Sequence, residues 1–318
     1  MAVTRRNILT NAAVRAQYAR GVTLLKREFT GPTTSSLGIP GPSRQLSTYD
    51  LFVVWHHTAM STMTPPSQGD RNAAHRGPVF FPWHRFMLIE LERNLQRVLG
   101  DDTFGLPYWD WAADGSRTAS QQRQSALWRA SGIGGTGSPV RTGPFRFVAD
   151  NPDSFRIRVE ADADGRLIQS NRGLRRDLGV NIATLPTRTD TAGALALTPY
   201  DQPNWDTTSA GFRNRAEGWA APNTPALHNR VHVWVGGDML PSSSPNDPVF
   251  YLNHCNEDRL WEAWMARHTR TYVPAQSAPA SLRGHRLNDQ MLAFVSAPMR
   301  PADVLDVANI YVYDSLAV

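Results

Sequence analysis

The chain has 318 residues, 41% of them apolar and 19% charged, which is enough apolar material to bury a sizeable core. No apolar run approaches the ~20 residues of a membrane span, and the net charge of +5 comes from scattered arginines rather than a basic run, which argues against a nucleic-acid partner. Cys255 is the sole cysteine, so an intrachain disulfide and a cysteine-built metal site are both excluded.

The opening "MAVTRRNILTNAAVRAQYAR" carries an arginine pair, but Asn7, Thr10, Asn11 and Arg15 interrupt any apolar stretch. It is no signal peptide, so the chain as encoded is expected in the cytoplasm unless a carrier exports it. Residues 8–28 read as an amphipathic helix with Val14, Tyr18, Val22 and Leu25 near one stripe. Lys26 in that stretch is the only lysine of the chain, an imbalance that reads as arginine-rich codon usage. Residues 30–46 form a Gly/Pro/Ser loop, and a second helix is expected over 48–63. A third runs from Pro82 to a stop at Gly100.

Residues 112–212 look irregular, with "GIGGTGSP", "ADADGR" and "LPTRTD" marking turns and short strands. A fourth helix should begin near Pro225 and a fifth near Pro248, running to about His268. The tail "NIYVYD" alternates like a short strand. Pro82, Pro225 and Pro248 suit first helical turns, where a missing N–H costs nothing, and Thr224 and Asp247 are placed to cap the last two. A histidine follows each start: His84, His228, His254.

The nine histidines matter as a set. His228 and His232 are four apart and share one helix face. A zinc-protease reading needs HExxH, but Asn229 stands where the glutamate belongs. A site made wholly of imidazole suits copper. His254 can supply a third nitrogen, and an upstream triplet is available from His84, His75 and either His56 or His57. Two such triplets facing each other would hold two metal ions roughly 3.5–4 Å apart.

The stretches "YDLFVVWH", "HRGPVFFPWHRFMLIELE", "LPYWDWAADGS", "FRNRAEGW", "LHNRVHVWVGGDM" and "SPNDPVFYLNHCNEDRLWEAW" resemble the bacterial tyrosinases, type-3 copper proteins of the Streptomyces kind. The resemblance runs from the first helix to the tail and is weakest over 30–46 and 61–72. It implies a mainly α fold in one domain spanning 1–318. Four helices would surround a dinuclear copper centre, with long loops and a few short strands outside. Carried over residue by residue, one copper falls on His56, His75 and His84, and the other on His228, His232 and His254. The "YDxFVxxH" spacing selects His56, leaving His57 to packing.

The implied reaction uses O2 to hydroxylate monophenols next to their hydroxyl and to oxidise o-diphenols to o-quinones. Glu217 and Asn229 take the positions of a glutamate and an asparagine that hold a water able to deprotonate the phenol. Each also has a bland reading, Glu217 as a surface carboxylate and Asn229 as a hydrogen bond to backbone. Phe250 and Asn253 are expected to line the copper pocket, the latter where relatives carry a second histidine. Asp258 should orient an imidazole or pair with Arg230 or Arg259, and the Trp cluster of "YWDW" should be core. Cys255 is too far from His75 in sequence for a thioether. A small copper-delivery caddie protein is a further implied partner. The rival reading is an o-aminophenol oxidase, kept open by Asn253 and the polar loop 238–245; an O2 carrier of the hemocyanin type is the remaining alternative.

Overall fold

The computed structural model describes residues 2–219 and 224–318. Its first strand, β1 (Val3–Arg5), leads to helix α1 (Ala12–Arg27). That helix starts four residues later than the apolar pattern suggests, because Asn11 Oδ1 accepts from the Val14 N–H and caps it. Helix α2 (Thr48–Ser61) opens with a capping box in which Ser47 and Asp50 satisfy each other's backbone N–H groups. The lone lysine is no bystander here. Lys26 is buried and ion-paired with Asp50, clamping the end of α1 to the start of α2.

Helix α3 (Phe80–Leu99) begins two residues before Pro82 and stops at Gly100, whose φ of 64° gives the left-handed turn that ends helices. The stretch expected to be irregular holds more order. It contains short helices α4 (Trp111–Gly115) and α5 (Ala119–Arg123), the antiparallel hairpin β2 (Ile157–Ala161) and β3 (Leu167–Arg172), and α6 (Arg188–Leu195). None is long enough to show a clear period of its own. After α7 (Phe212–Glu217) comes α8 (Leu227–Val235), two residues beyond Pro225. Its N-cap is Ala226 with no side-chain bond, so Thr224 does not cap it. Helix α9 (Val249–Arg267) follows Pro248, and Asp247 does serve its start, accepting from the Val249 N–H at 3.0 Å.

Strand β4 (Tyr311–Tyr313) pairs in parallel with β1, tying the two ends of the chain together. Under this pair lies the fate of Asp258, which neither orients an imidazole nor pairs with Arg230 or Arg259. It accepts from buried Arg5 and Arg85 and from the hydroxyls of Tyr311 and Tyr313. Arg230 instead binds Thr184, and Arg259 the chain end at the Ser315 carbonyl.

Helices α2, α3, α8 and α9 form the centre, with α1 packed outside α2 and α3. The Trp55 ring of α2 meets Trp83 and Phe86 of α3 edge-on, at 5.4 and 5.0 Å. Phe212 is sandwiched between Phe81 and Trp264, each 5.2 Å away, which fixes α7 across α3 and α9. Trp109 and Trp111 are fully buried, as core residues should be.

Candidate metal centre

Six histidines converge in two triads. His56, His75 and His84 form one, His228, His232 and His254 the other, and within each the candidate ligand nitrogens lie within 4.8 Å of one another. The triads face each other, with the His84 and His254 rings stacked at 4.1 Å and those of His75 and His228 6.1 Å apart.

Helix geometry places five of the six. Helix α2 turns His56 inward, while His57 turns aside to Ser242 Oγ at 2.8 Å. His228 and His232, one turn apart on α8, have ring centroids 4.4 Å apart. His75 alone sits in a loop. Asn72 Oδ1 accepts from the N–H groups of Ala74 and His75, a local turn that holds this imidazole toward α3.

The backbone then chooses tautomers. Nδ1–H of His56 donates to the Ser242 carbonyl, of His84 to Phe80 and of His232 to Met239, each at 2.7 Å. His228 Nδ1 lies 3.0 Å from Asn229 Oδ1 and 3.3 Å from the Glu217 carbonyl. With the proton held on Nδ1, the Nε2 lone pair is left to face the centre. Nε2 of His56, His84 and His232 has no hydrogen-bond partner among the described residues. His228 and His254 bring their Nε2 atoms to 3.1 Å, a contact that a shared cation would satisfy.

Burial keeps these rings neutral. Desolvation lowers His56 to about 3 and His232 to about 4, and pushes His75, His84, His228 and His254 well below the usual imidazole value, neighbouring imidazoles adding to the effect. Neutral imidazole is the ligating form, so the donor set fits two copper ions, one per triad. Phe250 packs among the imidazoles, 4.8 Å from His56 and 4.1 Å from His254. Asn253 is fully buried, and its amide finds no partner among the described residues.

Glu217 is wholly buried rather than on the surface. Its Oε2 accepts from Arg213 at 2.9 Å and its Oε1 from the Arg76 N–H at 2.6 Å. Desolvation raises its carboxyl, with Arg213 pulling the other way. Gly218 has φ of 111°, and a Cβ there would stand 2.7 Å from Asn229 Cβ. This close approach brings Glu217 and Asn229 to the same side of His228. Among the described residues the Asn229 side chain makes no bond to backbone; its oxygen orients the His228 ring.

The tyrosinase family model, described as the common central domain of tyrosinase, matches residues 46–267 and so spans every one of these histidines. The chain belongs to the tyrosinase family. It is 42% identical over 273 residues to a tyrosinase of Streptomyces glaucescens, covering 84% of this chain and 89% of that one. It is 37% identical over 290 residues to grixazone synthase of Streptomyces griseus, covering 84% and 90%. Among solved structures it resembles a polyphenol oxidase from Thermothelomyces thermophila, with TM-score 0.70 at 22% identity over 99% of this chain and 89% of the other. Tyrosinases are copper oxidoreductases with a dinuclear centre, and the two triads here are suited to it.

Sequence reasoning missed several residues around this tyrosinase-family centre. Arg213 lies four residues before Glu217 on one helix face, a spacing that could have flagged the pair. The carbonyls of Phe80, Met239 and Ser242 leave no trace in residue identity, since any residue supplies one.

Proposed function

We propose that the chain is a dicopper oxidase that hydroxylates monophenols at the ortho position with O2 and oxidises o-diphenols to o-quinones. His56, His75 and His84 would hold one copper, and His228, His232 and His254 the other. The bound pair supplies O2 activation and a cationic target for a phenolate. The protein's own work is orientation and proton handling. Backbone carbonyls hold four imidazoles by Nδ1–H, so the ligand atoms need not reorganise. Phe250 sets a buried apolar ring against one imidazole of each triad.

The observation that supports the hydroxylase reading is the backbone contact of Glu217 and Gly218 with His228 and Asn229, the Glu217 carbonyl lying 3.3 Å from His228 Nδ1. A carboxylate has about four lone-pair sites; the Arg76 N–H, Arg213 and the Trp219 side chain take three, which leaves one for a water bridging toward Asn229. The phenol proton passes through that water to a Glu217 oxygen, which burial makes a better acceptor.

Similarity to grixazone synthase supports a second reading, oxidation of o-aminophenols in secondary metabolism. O2 uptake by copper-reconstituted protein decides, with a monophenol, an o-diphenol and an o-aminophenol offered separately. Uptake with the monophenol after a lag supports the hydroxylase; uptake with the aminophenol alone replaces it by the second reading. Reconstitution from free copper also tests the delivery partner, which is required only if free copper fails to load. No described helix is long and apolar enough to cross a membrane. The cytoplasm remains the compartment proposed from the sequence.

A further inference from the structure

Arg76 is the only exposed residue between Arg71 and Glu92, and it directly follows His75. Its φ of 63° lies in the left-handed region, which a non-glycine residue rarely adopts. Such strain persists where the surroundings demand it, and it marks functional sites. Here the turn does two things at once. It aims the backbone N–H into Glu217 Oε1 at 2.6 Å and sends the side chain outward over the Trp219 ring, with the guanidinium carbon 5.7 Å from the ring centre.

The location is beside the less buried edge of the centre. Asn229 and His232 are its half-exposed members, and Gly218, against Asn229, is the residue before Trp219. Trp219 itself is 36% exposed, one of few large apolar side chains left open to solvent. Arg76 has no carboxylate partner among the described residues, since Glu217 pairs with Arg213. Ala220, Ala221, Pro222 and Asn223, which follow Trp219, carry no acid in their sequence. An aromatic platform and an uncompensated cation thus stand together beside the centre, one next to Gly218 in the chain and the other next to His75.

We propose that Arg76 and Trp219 form a specificity site for the distal carboxylate of an aromatic acid, an arylalkanoate whose phenolic end enters the copper centre. This rests on the oxidase reading above and names its substrate class. Trp219 supports the apolar linker, and the Arg76 guanidinium pairs with the carboxylate. The backbone N–H of Arg76 stays with Glu217 whatever side chain the position carries, so selection and proton handling are separable there.

The test compares three catechols that differ only in their arm: 3-(3,4-dihydroxyphenyl)propionate, neutral 4-ethylcatechol and cationic dopamine. Copper-loaded wild-type protein should favour the acid over the neutral compound by about fivefold in kcat/KM, carried by KM. That ratio should shrink in 0.5 M salt. In Arg76→Gln the ratio should fall to about one, and Arg76→Lys, which restores a cation, should recover part of it. Equal use of acid and neutral compounds by the wild type, or a preference that survives in Arg76→Gln, overturns the proposal. So does a preference for dopamine, which would point instead to Asp162, the acid that acts on His57 on the Ser242 side.

Calorimetric binding of 3-phenylpropionate against 3-phenylpropanamide gives a readout that needs no turnover. Arg76-dependent binding of the acid in protein that oxidises no catechol sinks the oxidase reading and leaves the carboxylate site. Oxidation of 4-ethylcatechol without any acid preference does the reverse.

Discussion

The backbone N–H of Arg76 donates to Glu217 Oε1 at 2.6 Å, across 141 residues of sequence. The loop that carries His75 is thereby locked to the helix end that carries the proposed proton acceptor. Because the donor is backbone, the lock depends on Glu217 alone. Glu217→Gln should keep the hydrogen bond by its amide oxygen but lose proton acceptance. Monophenol hydroxylation is expected to fall about 100-fold or more, while o-diphenol oxidation falls far less. Oxygen-electrode rates on a matched phenol and catechol check this, with equal losses on both counting against the assigned role.

Gly218 is needed for the same reason. Its φ of 111° disfavours any side chain, and a Cβ would also stand 2.4 Å from the Ala226 carbonyl oxygen. Gly218→Ala should cost at least ~2 kcal/mol. It should also raise the phenol-to-catechol rate penalty, because Asn229 must move. Denaturant melts and the same rate pair read both effects.

Copper content tests the triads directly. Reconstituted protein should hold two copper ions per chain, since two groups of three histidines are available. His84→Ala and His232→Ala should each lose the ion of their own triad and keep the other. At copper a thousandfold above its Kd, each ion bound should stabilise the fold by about 4 kcal/mol. Elemental analysis and thermal melts in chelator would refute the assignment if His57→Ala lost copper and His56→Ala did not.

Stability should fall on both sides of neutral pH, through different groups. His285 is buried with Nε2 bonded to Thr64 Oγ1 at 2.8 Å, and desolvation lowers it to about 3. An unfolded imidazole near 6.5 binds a proton that the folded one refuses. Its contribution is therefore full above pH 6.5 and lost as pH drops toward 3, at about 1.4 kcal/mol per unit. His285→Gln should flatten the acid limb of metal-free protein. Glu257 is the converse case. It is buried with both oxygens unpartnered among the described residues, and desolvation, then Glu217, raise it well above the carboxylate range. Its contribution holds below the unfolded value and weakens as pH climbs. Glu257→Leu should stabilise the protein at pH 8 by about 1–3 kcal/mol. Melts across pH 4–9 settle both.

Asp258 joins Arg5, Arg85, Tyr311 and Tyr313 in a buried cluster that holds the chain ends on α9. Asp258→Ala takes one carboxylate from two buried guanidinium groups, Arg5 keeping Glu92 and Arg85 keeping Glu262, and should cost about 1.5–3 kcal/mol. Copper stoichiometry should survive in whatever fraction folds, which urea titration with metal analysis can show.

The sequence by itself determined the elements that repeat a pattern and the residues that carry a chemistry. All four central helices begin within two residues of the positions that apolar spacing and helix-start signals predict. The six histidines that the structure gathers were all named in advance. His56 could be chosen over His57 only by resemblance to a motif, because neighbours in sequence differ by about 100° around a helix that has no visible axis until it packs. What the tertiary structure decided lies in contacts between distant segments. The position of Asp258 one turn past His254 suggests that it orients an imidazole or pairs with Arg230 or Arg259, yet it turns to Arg5, 253 residues away. Gly218 against Asn229, and the carbonyls that hold the imidazoles, likewise depend on which backbone arrives beside which. Side-chain periodicity reports a residue's own helix face; the partner across that face is set by packing of the whole chain.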